Sequence, residues 1–390
     1  MDRLLEQSPF FTDDHHRLAA SVASFVWREI EPHAARAEEA TDEDFRALVS
    51  LLADADLLRH CVRRDAPLDV RSLCVVREEL AYSSALADAA FVMQGLGTYA
   101  VSLAATAHVR EFWLERAAAG KAVAAFALTE PDAGSDVSAI TTAARRDGDA
   151  YVLDGRKHLI SNAGVADFYT VFARTATRAD GRAEMSAFLV SSRMPGFRVR
   201  ARTQLIAAHP IGEIEFENLR LPAEDMIGNE GDGHRLAMST MNVFRPSVGA
   251  AACGMARRAL DEAISYAKRR KQFGAPLSSY QLVQAKLAEM ATELDAARLL
   301  VYHAANLRDS QPDDATADQS ALSRSASEAK LFATEAAQRV IDESVQIHGG
   351  AGLVRGSVVE RLYRDIRALR IYEGTSEIQK LIIARELLKE

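Results

Sequence analysis

The sequence is short of the residues that staple, ligate or anchor a chain. Its 390 residues hold three cysteines, and Cys61, Cys74 and Cys253 stand too far apart for a CxxC pair. No clustered histidines join them, so neither a zinc site nor a disulfide framework is expected and reduced thiols are the default. A basic excess is missing as well. With 47 Lys and Arg against 55 Asp and Glu, the net charge of −8 gives no reason to expect nucleic acid, while small anionic ligands at local basic sites stay open. The opening "MDRLLEQSPFFTDDHH" is acidic where an export signal needs a basic end and an apolar run, so a cytoplasmic protein is expected. The uncharged stretch "AAFVMQGLGTYAVSLAATA", between Asp88 and His108, is diluted by Gln94, Gly95, Gly97, Thr98 and Ser102. It reads as a buried helix and not as a membrane span.

What the chain does have is apolar content of 48%, enough for two or three packed units. From about Asp13 to Ala118 it is rich in Ala, Leu, Glu and Arg, with apolar spacings of three and four, and predicts helices. After Gly120 the texture changes. "YVLDGRK", "DFYTVFART", "EMSAFLV" and "EIEFENLRLP" are short β-branched or aromatic runs between turn residues, which predict a compact antiparallel sheet. From about Gly233 helices return: Leu287, Met290, Leu294, Ala297 and Val301 mark one long helix, and Ser325 to Ile347 a second. The polar "RDSQPDDATADQSALS" between them predicts a connection joining antiparallel helices. The expected fold is mainly α with a β domain, divided as residues 1–120, 121–228 and 229–390.

Several stretches admit both a plain and a chemical reading. "GNEGDGH" lacks the Lys-Ser/Thr ending of a phosphate loop, and "HGGAG" follows a helix and not a strand, so neither supports a P-loop or a dinucleotide fingerprint. In "FALTEPDAGSD" (126–136), Thr129, Gly134 and Ser135 offer hydroxyls and backbone N–H groups to a phosphate or a flavin ring, or simply make a good loop. In "LRIYEGTSEIQKL" (369–381), Glu373 is either an exposed turn residue ahead of a helix capped by Thr375 or Ser376, or a functional carboxylate. Arg270, taken alone, is one charge in a solvated "KRRK" run.

"TEPDAGSD", "GRKHLISNAGVAD", "RRKQFG", "VQIHGGAG" and "IYEGTSEIQ" occur in this order on a helix, sheet, helix plan. The series resembles the acyl-CoA dehydrogenase flavoprotein family over essentially the whole chain. The resemblance implies an N-terminal helical domain, a middle β domain and a C-terminal four-helix bundle, with FAD between the last two and a homotetramer, or a dimer, completing the site. It implies FAD-dependent α,β-dehydrogenation of an acyl thioester to the trans-2-enoyl thioester, with Glu373 as catalytic base. Some members carry the base just before the arginine matching Arg245; Phe244 stands there. A thioester α C–H is a weak acid, so such a base must be poorly solvated and raised in pKa. The carbonyl oxygen needs donors already aimed at it, which the family precedent assigns to the Glu373 backbone N–H and a flavin ribityl hydroxyl.

Carried over by motif, Phe126, Leu128, Thr129, Gly134 and Ser135 match the first flavin segment, and Leu159 and Ser161 the second. Arg270 and Phe273 match the pair that reaches the cofactor's diphosphate and adenine from a neighbouring subunit, where a guanidinium fork suits phosphate oxygens. Gln346 and Gly350 match another contact from that neighbour, and Thr375 and Glu377 flank the adenosine. Arg245 matches the arginine near the pantetheine arm, with Ser135, Tyr372 and Gly374 also on the substrate side. No metal site is implied. Where the family commonly has tryptophan and threonine, this chain has Leu159 and Ser161. Asn242 replaces a common aspartate, and "LIAAHPIGE" (205–213) lacks the usual glycine and arginine. CoA and acyl carrier protein both remain as thioester carriers, and an electron-transfer flavoprotein as partner. A flavin oxidase or monooxygenase in a biosynthetic pathway is the alternative on the same scaffold. Packing around Phe91 to Tyr99 is expected to set the bottom of the acyl pocket.

Overall fold

The computed structural model describes residues 8–64, 66–311 and 318–389, so the first part of the acidic opening and the middle of the polar connection lie outside the described residues. The N-terminal segment is helical: α1 (Asp13–Phe25), α2 (Asp42–Asp54), α3 (Val70–Ser83), α4 (Ala85–Ala104) and α5 (Ala107–Ala118). Start signals in the sequence do their ordinary work. Asp44 N–H donates to Thr41 Oγ1 at 3.2 Å while the Asp44 carboxylate accepts from Thr41 N–H at 2.9 Å, and Asp69 accepts from Ser72 N–H at 2.9 Å to cap α3.

The uncharged stretch forms most of α4, which is buried at every residue from 91 to 102. Its polar groups are satisfied inside the fold. Gln94 donates through Nε2 to the Ala122 carbonyl at 2.8 Å and accepts through Oε1 from Ala124 N–H at 2.7 Å, and the Gly97 carbonyl accepts from Thr170 Oγ1 at 2.7 Å. A Cβ on Gly97 would stand 2.6 Å from Ala124 Cβ, so only glycine allows this helix to lie so close to the strand beside it. Among the described residues no helix is long and apolar enough to cross a membrane.

The sheet has eight strands: β1 (Ala124–Ala127), β2 (Ala143–Asp147), β3 (Ala150–Ser161), β4 (Phe168–Thr177), β5 (Ala183–Ser191), β6 (Phe197–Arg202), β7 (Ile211–Pro222) and β8 (Met226–Ile227). They run in the order β6-β7-β3-β2-β4-β5-β8, with β1 paired to β4. The expectation of a purely antiparallel sheet needs correcting, since β1 and β2 each pair with β4 in parallel. Tight hairpins give antiparallel neighbours, whereas β1 reaches β4 only after a long loop and the whole β2–β3 hairpin, a crossover that permits parallel pairing. Between Lys157 and Ile160 the β3–β7 register slips, and Leu159 there takes φ 51°. A bulge of this kind re-aims a side chain.

The remaining helices are α6 (Gly233–Arg269), α7 (Gln281–Asp309), α8 (Gln319–His348), α9 (Val358–Leu369) and α10 (Ser376–Leu387), with a small hairpin of β9 (Lys271–Gln272) and β10 (Ala275–Pro276) after α6. Met290, Leu294, Ala297 and Val301 are buried along α7, as their spacing predicts, and Leu287 is half-buried. Lys286 pairs with Glu343, and Arg339 donates to Glu293 at 2.9 Å, so α7 and α8 run antiparallel. "HGGAG" ends α8 in a short 3₁₀ turn, Gly349–Leu353. By contacts the chain forms two compact units. One holds the described residues up to 39, 69–88 and those from 242 onward; the other holds 40–68 and 89–241. All three cysteines are free and buried.

Candidate active site

Helix α9 ends at Leu369 and α10 starts at Ser376, so the chain reverses within residues 370–375. Ser376 N–H closes the turn on the Arg370 carbonyl at 3.1 Å, and Thr375 is the residue that caps α10, its hydroxyl accepting from Ile378 N–H at 3.4 Å. So tight a reversal sets Glu373 at φ 54° and Gly374 at φ 91°. Glycine accepts this freely; for glutamate it costs roughly 1–2 kcal/mol. Side chains hold the strained turn from outside. The Glu373 carbonyl accepts from Arg245 Nε at 3.4 Å and from Gln379 Nε2 at 3.2 Å, and the Gly374 carbonyl from Lys330 Nζ at 2.8 Å and from Gln379 Nε2 at 2.9 Å.

Glu373 is not the exposed turn residue of the plain reading. It is half-buried, and its Oε2 is shut from solvent with no hydrogen-bond partner. Burial raises its pKa above the ordinary 4.5; Arg77, Lys330 and Arg245 pull it down, and Asp88 pushes it up. Arg77, Lys330 and Arg245 are all buried, at 0%, 0% and 5% exposure. Arg77 is locked to Asp88 by two bonds of 2.7 Å, and burial brings Lys330 down to about 8. A poorly solvated carboxylate with an unoccupied lone pair, fixed by a strained backbone, is equipped to accept a proton.

The sheet unit brings the two proposed flavin segments side by side. His158 N–H donates to the Thr129 carbonyl at 2.9 Å, and Lys157 Nζ to the Leu128 carbonyl at 2.9 Å. Phe126 packs its ring 4.9 Å from Phe172. Beyond them Gly134 and Ser135 are exposed, and a Cβ on Gly134 would meet nothing within 4 Å. The bulge leaves Leu159 43% exposed, and Ser161 Oγ lies 2.7 Å from Nε2 of His209. Burial lowers the pKa of His209 to about 4, so the ring is neutral at physiological pH.

Arg270, Phe273, Gln346 and Gly350 form a separate group. Arg270 opens onto the β9–β10 hairpin, where Phe273 has φ 49° and is 96% exposed. Gln346 and Gly350 are exposed at the end of α8, which is tied to the end of α6 by the stack of Tyr266 on His348 at 4.3 Å. Arg245 and Arg269 are 24 residues apart on α6, roughly 36 Å at 1.5 Å per residue. In a single chain Arg270 is thus remote from Glu373. Glu377 is exposed in the first turn of α10, and Tyr372 is 37% exposed beside Glu373. Sequence reasoning missed Arg77, Asp88, Lys330, Gln379 and His209. The available signals were slight: Arg77 interrupts the apolar run "LCVVREEL", and Asp88 is the one charge in "SSALADAAFVMQ".

Three family models match the chain: acyl-CoA dehydrogenase N-terminal domain over residues 12–121, middle domain over 125–219 and C-terminal domain over 231–388. The chain is similar to 3-(aryl)acrylate reductase of Clostridium sporogenes, 38% identical over 388 residues that cover 97% of this chain and 100% of that protein. Among solved structures it resembles butyryl-CoA dehydrogenase from Megasphaera elsdenii, at a TM-score of 0.86 and 32% identity over 97% of this chain and 99% of that one. It also resembles a glutaryl-CoA dehydrogenase from Mycobacterium smegmatis in complex with FADH2, at a TM-score of 0.88 and 28% identity over 99% of this chain and 97% of that one.

Proposed function

Because the chain belongs to the acyl-CoA dehydrogenase family, we propose that it dehydrogenates an acyl-CoA thioester across its α and β carbons with FAD, Glu373 taking the α proton. The observation that carries this reading is the Glu373 carboxylate, its Oε2 buried without a partner and its proton affinity raised by burial. The α C–H bond breaks toward Oε2, the β hydrogen departs as hydride, and a trans C=C bond forms. Loss of the α proton puts negative charge on the thioester carbonyl, where the backbone N–H of Glu373 is the proposed donor from this chain. Arg245 and Tyr372 bound the substrate side of the base.

What supports FAD on this chain is the chemistry of the sheet unit: an exposed leucine at a bulge, the Ser161 hydroxyl close by, the half-buried Thr129 and the exposed Gly134 and Ser135. Bound there, FAD supplies the hydride acceptor. Leu128 and Phe126 line the same segment. Arg270 and Phe273, with Gln346 and Gly350, serve the cofactor of a neighbouring copy, since they are remote from Glu373 on their own chain; Thr375 and Glu377 flank its adenosine. A homotetramer with a C-terminal four-helix bundle, the three-part domain division, a cytoplasmic setting, an electron-transfer flavoprotein as oxidant, and tolerance of a carrier-protein thioester belong to the same proposal.

Glu373→Gln tests it. The variant is expected to purify yellow with bound FAD, yet to bleach its flavin with acyl-CoA at least roughly 10²-fold more slowly, as for loss of a general base. Bleaching at the wild-type rate would show that the proton goes elsewhere.

A further inference from the structure

We propose that Glu335, on α8, is a positioning residue for the reaction: it latches the two ends of the reversal that carries Glu373, and so keeps the base aimed. The inference rests on the reading of Glu373 as the base. Oε1 of Glu335 accepts from Arg370 Nε at 2.9 Å and from Ser376 Oγ at 2.5 Å, and its Oε2 lies 2.8 Å from Arg370 Nη2. Arg370 follows the last residue of α9, and Ser376 is the first of α10. One carboxylate thus grips the residues on either side of the turn. Earlier on the same helix, Lys330 Nζ donates to the Gly374 carbonyl at 2.8 Å. Helix α8 therefore holds the reversal at its entry, its middle and its exit.

Stability is a weak reason for this latch. The Arg370–Glu335 pair is partly open to solvent, at 29% and 27% exposure, and such pairs contribute little. The reversal is already closed without it by the bond from Ser376 N–H to the Arg370 carbonyl, and α10 has its cap in Thr375. What the latch adds is resistance to relaxation. Glu373 sits at φ 54°, a left-handed conformation that a glutamate keeps only where its surroundings over-determine it. Its Oε2 is buried with no hydrogen-bond partner, so no bond steers that oxygen and its aim comes from the backbone beneath it. Letting Arg370 and Ser376 part allows the backbone between them to leave the strained region. The carboxylate then turns away with it.

The experiment measures flavin bleaching by acyl-CoA in the FAD-loaded enzyme at saturating substrate. Glu335→Ala is expected to bleach about tenfold more slowly, the population shift that the strain of a left-handed glutamate corresponds to, with the half-saturating acyl-CoA concentration within about twofold of wild type. Glu335→Gln, whose amide oxygen can take the place of Oε1, should recover most of that rate. In a Glu373→Gln background, Glu335→Ala should slow bleaching no further, because the latch acts through the base. General damage to the fold would slow both backgrounds alike. Wild-type bleaching in Glu335→Ala overturns the proposal, and so does an equal further loss in the Glu373→Gln background. Ser376→Ala keeps the ion pair and the α10 cap and is expected to bleach about threefold more slowly, for one lost hydrogen bond. Where Glu335→Ala does not fold, an unchanged rate in Ser376→Ala overturns the proposal. Glu373→Gln separates the two readings: if it keeps wild-type bleaching, the base assignment fails; if it loses bleaching while Glu335→Ala keeps it, only the role of Glu335 fails.

Discussion

Lys157 and Glu130 hold the loop that carries the first proposed flavin segment, and the consequences of parting them can be worked out. Lys157 Nζ donates to Glu130 Oε1 at 2.8 Å and to the Leu128 carbonyl at 2.9 Å, with the two side chains 0% and 3% exposed. Glu130 also accepts from Thr141 N–H at 2.7 Å, Thr141 Oγ1 at 2.8 Å and Thr142 N–H at 3.0 Å. Burial alone would raise the Glu130 carboxyl, but Lys157 and these threonine bonds hold it at about 2 against the ordinary 4.5. Burial also drives Lys157 down, from 10.5 to about 8, despite Glu130. Each displacement corresponds to roughly 3 kcal/mol. The signs oppose. The Glu130 contribution is stabilising, complete above pH 4.5 and lost as pH falls toward 2; the Lys157 contribution is a cost, complete below pH 8 and gone by 10.5. Between about pH 5 and 8 they cancel. Lys157→Met or Glu130→Gln alone strands a buried charge or its donors and is expected to cost about 3–5 kcal/mol. At ~2–4 °C per kcal/mol for units of this size, the melting temperature at pH 7 should fall on the order of 10 °C. The double variant should melt within a few degrees of wild type. A Lys157→Met protein that melts like wild type, or a double as damaged as the singles, would refute the cancellation.

With Arg270 gripping the FAD diphosphate as proposed, Arg270→Ala is expected to weaken FAD retention roughly ten- to hundredfold, the loss of one charge-assisted hydrogen bond, and to loosen the proposed oligomer with it; FAD titration and sedimentation at equal protein concentration check both. On the proposed placement of FAD beside Leu159, Leu159→Trp adds a ring over the flavin edge, so the substrate-reduced enzyme should reoxidise more slowly in air than wild type, followed as the return of yellow colour after anaerobic bleaching.

Periodicity and turn chemistry carried most of the fold. The α7 spacing, the buried α4 and the sheet runs are local patterns, and local patterns survive folding. The 373 turn was half legible. Glu373 and Arg245 were singled out by motif and do meet, Arg245 Nε lying 3.4 Å from the Glu373 carbonyl. Arg77, Asp88 and Lys330 were not legible, because a charge in a sequence reads as a solvated face until its partner is known. The partner of Arg77 is 11 residues away on another helix, and Lys330 reaches the Gly374 carbonyl across 44 residues. The parallel pairing of β1 with β4 was hidden for the same reason. "LIAAHPIGE" stood out as a departure, but nothing in its composition said that His209 would bond Ser161, 48 residues upstream.

The burial of α4 has a bearing on how the protein is made. On the ribosome this helix, uncharged beyond Asp88, emerges before much of what will cover it: the carbonyl and amide that satisfy Gln94 follow 28 and 30 residues later, and the hydroxyl that satisfies Gly97 follows 73 residues later. At roughly 5–20 residues per second, the nascent chain presents a bare apolar cylinder for about 4–15 s before Thr170 is even joined. During that interval its apolar side chains are open to association with other apolar surfaces. Soluble yield in a heterologous host therefore depends on elongation speed through the codons from 105 to 170, and slowing translation there would lengthen the exposure of α4 instead of helping the protein fold.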